Sequence, residues 1–143
     1  MAQTMTAQST LQDYAVEQMN NLLTRLAFQV HRAARKPGAD EIHDLRVSVR
    51  RFSQALEFFG AFFPKPEVKK IRRMLKRMMQ LTSSIRDRDI TLEFLKETGH
   101  VGHRPRLEKE RSAYQRQFSE MLRRWSSRNF SAKWRNGLSL RSV

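Results

Sequence analysis

The sequence predicts an all-α protein, an up-down bundle of four long helices plus a short one, on three observations. Apolar residues recur at three- and four-residue steps through most of the chain, the period of a helix with one buried face. The helix breakers are few and clustered, at Pro37-Gly38, Pro64-Lys65-Pro66, Gly99 to Gly102 and Pro105. No segment sustains the apolar-polar alternation of a half-buried strand. The 143 residues suit one domain whose core needs neither disulfide nor metal. That domain is expected at 9–130, between a flexible N-terminus (1–8) and a partly ordered basic tail (131–143).

Taken in order, the helices are expected at roughly 9–35, 40–61, 66–81, 88–97 and 104–130. In the first, Leu11, Ala15, Met19, Leu22, Leu23, Leu26, Val30 and Ala33 make a single apolar stripe of the width a bundle helix needs. Asp40 is a candidate N-cap for the second. On a wheel of about 100° per residue, Ile42, Leu45, Val49, Phe52, Leu56 and Phe59 share one arc of that helix, while His43, Arg46 and Arg50 share another. The third buries Val68, Ile71, Met74, Leu75, Met78 and Leu81. Asp87 or Asp89 can cap the short helix that follows. In the last, Leu107, Tyr114, Phe118, Met121, Leu122 and Trp125 form the core stripe. Trp134 and Leu138 are placed to dock back from the tail, and Phe62-Phe63 reads as exposed or dimer-forming.

The polar faces carry the functional signal. A formal charge of +14 requires a strongly negative partner, because self-repulsion otherwise opposes the compact state. His43, Arg46 and Arg50 stack over two turns with Arg51 at their margin, and only Asp44 and Glu57 are near enough on that helix to neutralise them. A lone histidine would carry no such meaning; its spacing to Arg46 and Arg50 does. Lys69, Lys70, Arg72, Arg73, Lys76 and Arg77 cover the third helix, and residues 68–82 contain no acid. A solvated face normally interleaves signs, so a face of one sign points to a bound anion. Arg86 and Arg88 add two cations, and Arg111 lies at the edge of a core stripe, where it must find an anion. The chain has no cysteine, which excludes a thiolate nucleophile and a disulfide framework and fits the cytoplasm. No apolar run is long enough to span a bilayer.

The run Ile42-His43-Asp44-Leu45-Arg46-Val47-Ser48-Val49-Arg50-Arg51, followed beyond a basic helix by Arg86-Asp87-Arg88-Asp89-Ile90, resembles the CHAD family, the conserved-histidine α-helical domain. The resemblance implies a non-catalytic inorganic polyphosphate binder, with His43, Arg46, Arg50, Arg51, the basic helix from Lys69 to Arg77, and Arg86 as ligand-holding groups. Ser53, Ser83 and Arg88 depart from the family pattern, which often has Arg, Gly and an apolar residue there. Typical members hold two bundles around a basic groove; this length suits one, so a homodimer is expected to supply the second. The resemblance also implies association with polyphosphate granules.

Polyphosphate presents neither base nor sugar, so its binder needs charge density and guanidinium forks. The competing reading is an RNA- or DNA-binding protein, since a basic helical bundle meets the first requirement of one. Against it, Phe28, Phe52, Phe58, Phe59, Phe62, Phe63, Phe94 and Phe118 mostly fall in apolar stripes or at helix ends, not between the basic residues where stacking would need them. An enzyme is the least favoured reading: there is no Gly-rich phosphate loop, no carboxylate cluster for a metal and no nucleophile arrangement. No cofactor and no metal are expected, because the arginines around Asp87 and Asp89 oppose a cation.

Overall fold

The structure, a computed structural model, describes residues 7–100 and 102–140, with side chains from residue 10 onward. It contains α1 (Ala7–Arg35), α2 (Ala39–Phe59), a 3-10 turn (Gly60–Phe62), α3 (Lys65–Thr98), α4 (Arg104–Ser127) and α5 (Phe130–Gly137). Among the described residues there is no strand. The fold is the all-α bundle the periodicity predicts: α1 packs on α2 and α4, and α3 packs on α2 and α4. Short connections make each long helix antiparallel to the next. Among the described residues no helix is long and apolar enough to cross a membrane.

Four details differ from the expectations. The helices placed at 66–81 and 88–97 are one continuous α3, and the short helix of the bundle is α5. The intervening Thr82-Ser83-Ser84 contains weak helix formers but neither Gly nor Pro, and Thr82 Oγ1 donates within the helix to the carbonyls of Met78 (3.0 Å) and Met79 (3.1 Å). Asp87 and Asp89 therefore lie inside a helix and cap nothing. The N-cap of α2 is Gly38, not Asp40; Asp40 and Glu41 sit in its first turn, where their charge complements the helix dipole. Phe63 is buried and Phe62 is partly buried against the core, so the pair is not the exposed one the sequence suggests.

One continuous core runs through the bundle, from Met19, Leu23 and Leu26 of α1 through Leu45, Val49 and Phe52 of α2 and Ile71, Leu75 and Met78 of α3 to Phe118 and Leu122 of α4. The C-terminal segment belongs to it. Phe130, Trp134, Leu138 and Leu140 are buried, and Trp134 packs its ring against Phe52, Trp125 and Phe130. Asn129 takes a left-handed conformation (φ 48°) in the tight turn that swings α5 back onto the bundle, a backbone state asparagine tolerates better than most residues. Arg135 then ties α5 to α1 through Thr24 (2.7 Å) and Asn20 (3.2 Å). The last residues of the expected tail, 141–143, and residues 1–6 of the expected flexible N-terminus lie outside the described residues.

Candidate anion-binding site

The continuity of α3 builds the site. Thr82, Arg86 and Ile90 follow at one-turn intervals, so they share the side of α3 that faces α2. Arg46 reaches across from α2, and its Nη1 donates to Thr82 Oγ1 (2.5 Å), Ser83 Oγ (3.0 Å) and the Met79 carbonyl (3.2 Å). These acceptors are all neutral. They fix the half-buried guanidinium without cancelling its charge. Burial pushes the Arg46 pKa down from its ordinary value, and repulsion from Arg50 and then Arg86 adds to the effect, against a weaker opposing pull from Asp87. Among the described residues the arginine thus makes no ion pair and is repelled by two other arginines.

Around it lies a pocket of about 240 Å³ lined by Ala39, Ile42, His43, Arg46, Thr82, Ile85, Arg86, Asp89 and Ile90. His43 and Arg86 are exposed at its rim. The nearby acids are largely engaged elsewhere. Asp44, which on sequence grounds could have neutralised the α2 column, is turned toward α1 and accepts from Arg32 at 2.5 Å, and this bond raises the Arg32 pKa. Asp89 accepts from Arg111 of α4. Arg111 therefore finds its anion within the chain.

The other expected residues distribute around α3. At about 100° per residue, Arg72 falls on the α2 side, in line with Met79, Ser83 and Arg86. Lys69, Arg73 and Lys76 occupy the outer arc, and all three are exposed. Arg77 lies toward α4, where it donates to Gln117 at 3.2 Å. Lys70 lines a separate cleft against α4 and α5. Arg51 is exposed on the outer face of α2, about 100° round from Arg50. His43, Arg46, Arg50 and Arg86 are thus brought together; Arg51, Lys70, Arg77 and Arg111 are not.

Sequence reasoning missed Thr82, Ser83 and Asp89 as parts of the site. The hydroxyl pair reads in sequence as a helix interruption, and only the four-residue spacing of Thr82 to Arg86 carries a signal. The two departures at Ser83 and Arg88 acquire roles: Ser83 supplies an acceptor to Arg46, while Arg88 bonds Glu110 at 3.4 Å and lies 4.8 Å over the Tyr114 ring, tying α3 to α4. Among the described residues no group of three or more metal-ligating side chains converges.

No curated protein and no solved structure matches this chain. A family model described as CHAD domain matches residues 13–141. The match takes in all four long helices from the second turn of α1, and also α5, whose aromatic residues complete the core. With nearly its whole length covered, the chain belongs to the CHAD domain family.

Proposed function

We propose that this chain binds inorganic polyphosphate and performs no chemistry on it, with the ligand seated in the seam between α2 and α3. One observation carries the reading: Arg46 is partly desolvated, held by two hydroxyls and a carbonyl, flanked by Arg50 and Arg86, and joined to no carboxylate. A phosphoryl oxygen would relieve that repulsion. Membership of a polyphosphate-binding family supports the same ligand. His43, Arg46, Arg50 and Arg86 form the inner site, and Arg72 extends it along the seam. Lys69, Arg73, Lys76 and Arg51 raise the potential around it, whereas Lys70 and Arg77 face another side and Arg111 is committed to Asp89. The rings that RNA would need for stacking are absent from the pocket lining. The protein acts in the cytoplasm, at polyphosphate granules, as a homodimer whose second copy extends the basic surface.

Calorimetric titration with long-chain polyphosphate, single-stranded RNA and duplex DNA, at equal phosphate and salt, tests this. Polyphosphate should bind most tightly, and the Arg46→Ala/Arg50→Ala variant should lose it. Equal binding of all three polymers, unmoved by the substitutions, would reduce the seam to scaffold. Sedimentation with and without polyphosphate tests the dimer.

A further inference from the structure

A second group of cations lies on the far side of α3 from the seam. Lys70 of α3, Arg124 of α4, Arg128 of the turn and Lys133 of α5 converge on a cleft of about 320 Å³. All four are exposed, and none of them forms an ion pair among the described residues. Three separate helices and the turn before α5 thus deliver like charges to one opening. We infer that this cleft is a second ligand site, and that it takes a nucleoside triphosphate in preference to a bare polyphosphate.

Two features distinguish it from the seam. Its apolar lining includes Met74 and the aromatic residues Trp125, Phe130 and Trp134, which keep only 6%, 4% and 5% of their surface exposed. A bare polyanion gains nothing from an apolar lining, whereas a ligand joining an anionic tail to a planar ring gains from both parts of the cleft. The wall also carries one carboxylate, Glu67. It lies close against α5, where a Cβ on Gly137 would stand 2.7 Å from Glu67 Oε2. That carboxylate repels a chain made only of phosphates. It accepts hydrogen bonds from the amino or hydroxyl groups of a nucleoside. The four cations match the charge of a triphosphate, and the volume is at the lower end of ligand clefts, about 300 to 1,000 Å³.

The chain's two tryptophans both line this cleft and neither lines the seam, so their fluorescence reports on it selectively. The full chain would be titrated with ATP and with inorganic tripolyphosphate at one ionic strength. ATP should give a saturable change and bind at least about 10-fold more tightly than tripolyphosphate, a difference equivalent to about 1.4 kcal/mol. Arg124→Ala/Lys133→Ala should weaken ATP by about 10-fold or more, while Arg50→Ala/Arg86→Ala should leave it within about 2-fold, since distant sites act independently. Glu67→Gln should narrow the preference for ATP. The substituted cations are exposed, so circular dichroism should show these variants folded. No saturable signal, tripolyphosphate binding as tight as ATP, or indifference to the cleft variant would overturn the inference. The reading of the seam stands or falls separately, on calorimetry with its own variant.

Discussion

Replacing Arg46 by Met should separate stability from ligand affinity. The substitution keeps most of the apolar stem and removes bonds to Thr82, Ser83 and the Met79 carbonyl. Thr82 is not orphaned, because its hydroxyl still donates to Met78 and Met79. The three lost bonds are then worth about 1 kcal/mol each, or about 3 kcal/mol together. Against this, the variant relieves the desolvation of a cation and its repulsion from Arg50 and Arg86, at about 0.5 kcal/mol per like-charged pair. The net loss is then at most about 2 kcal/mol, and the ligand-free melting temperature should fall by no more than about 8 °C. Affinity should fall far more, since a charge-assisted bond to phosphate contributes about 1.5 to 3 kcal/mol, or about 10- to 150-fold. At 100 times the wild-type Kd, polyphosphate stabilises the wild type by about 2.7 kcal/mol; a variant binding 30-fold more weakly gains only about 0.9 kcal/mol. Thermal melts at matched polyphosphate concentrations measure both quantities at once. A ligand-free drop beyond about 10 °C, or an undiminished ligand-induced shift, would refute the argument that Arg46 is held for an anion and not for the fold.

Three further substitutions have expected outcomes. Asp89→Asn removes a carboxylate from the pocket wall and the partner of Arg111; polyphosphate affinity should rise about 2- to 5-fold in calorimetry while stability falls by less than about 1 kcal/mol, the range of exposed ion pairs. Arg50→Ala/Arg86→Ala should flatten the dependence of log K on log salt by about one unit for each phosphate that is no longer neutralised, by analogy with nucleic-acid binding. Trp134→Ala should cost about 3 to 5 kcal/mol in denaturant unfolding, because its ring packs on Phe52, Trp125 and Phe130 at 5% exposure.

The apolar period made the four long helices and most of the core legible, since that pattern is local and repeats every turn. The column of His43, Arg46 and Arg50 was legible for the same reason. What could not be read is pairwise. Asp44 sits as close in sequence to Arg46 as to any other cation, yet it bonds Arg32, twelve residues away on another helix. Arg111 announced the need for an anion but not that Asp89 meets it. Helix propensity misled at Thr82-Ser83-Ser84, where intrahelical hydroxyl bonds and the incoming Arg46 outweigh the weak preference of those residues. At the C-terminus the period breaks because α5 is too short to repeat it, and its aromatics dock through a turn that only Asn129 signals.

The cross-helix ion pairs follow a pattern with a dynamic consequence. Arg32–Asp44 joins α1 to α2, while Arg88–Glu110 and Arg111–Asp89 join α3 to α4. No such pair joins α2 to α3 among the described residues, and the packing between them is the sparsest of the successive long-helix pairs. Two well-tied hairpins therefore meet along a seam whose charged groups repel. A phosphate chain lying there would bond cations from both sides and act as the missing tie. Amide hydrogen exchange should then show polyphosphate protecting residues 43–50 and 79–86 more than α1 or the α4 face of the α3/α4 hairpin, because local opening of the seam is what the ligand suppresses. Protection spread evenly over all helices would mean that the ligand stabilises only by global mass action, and that α2 and α3 do not open independently of the rest.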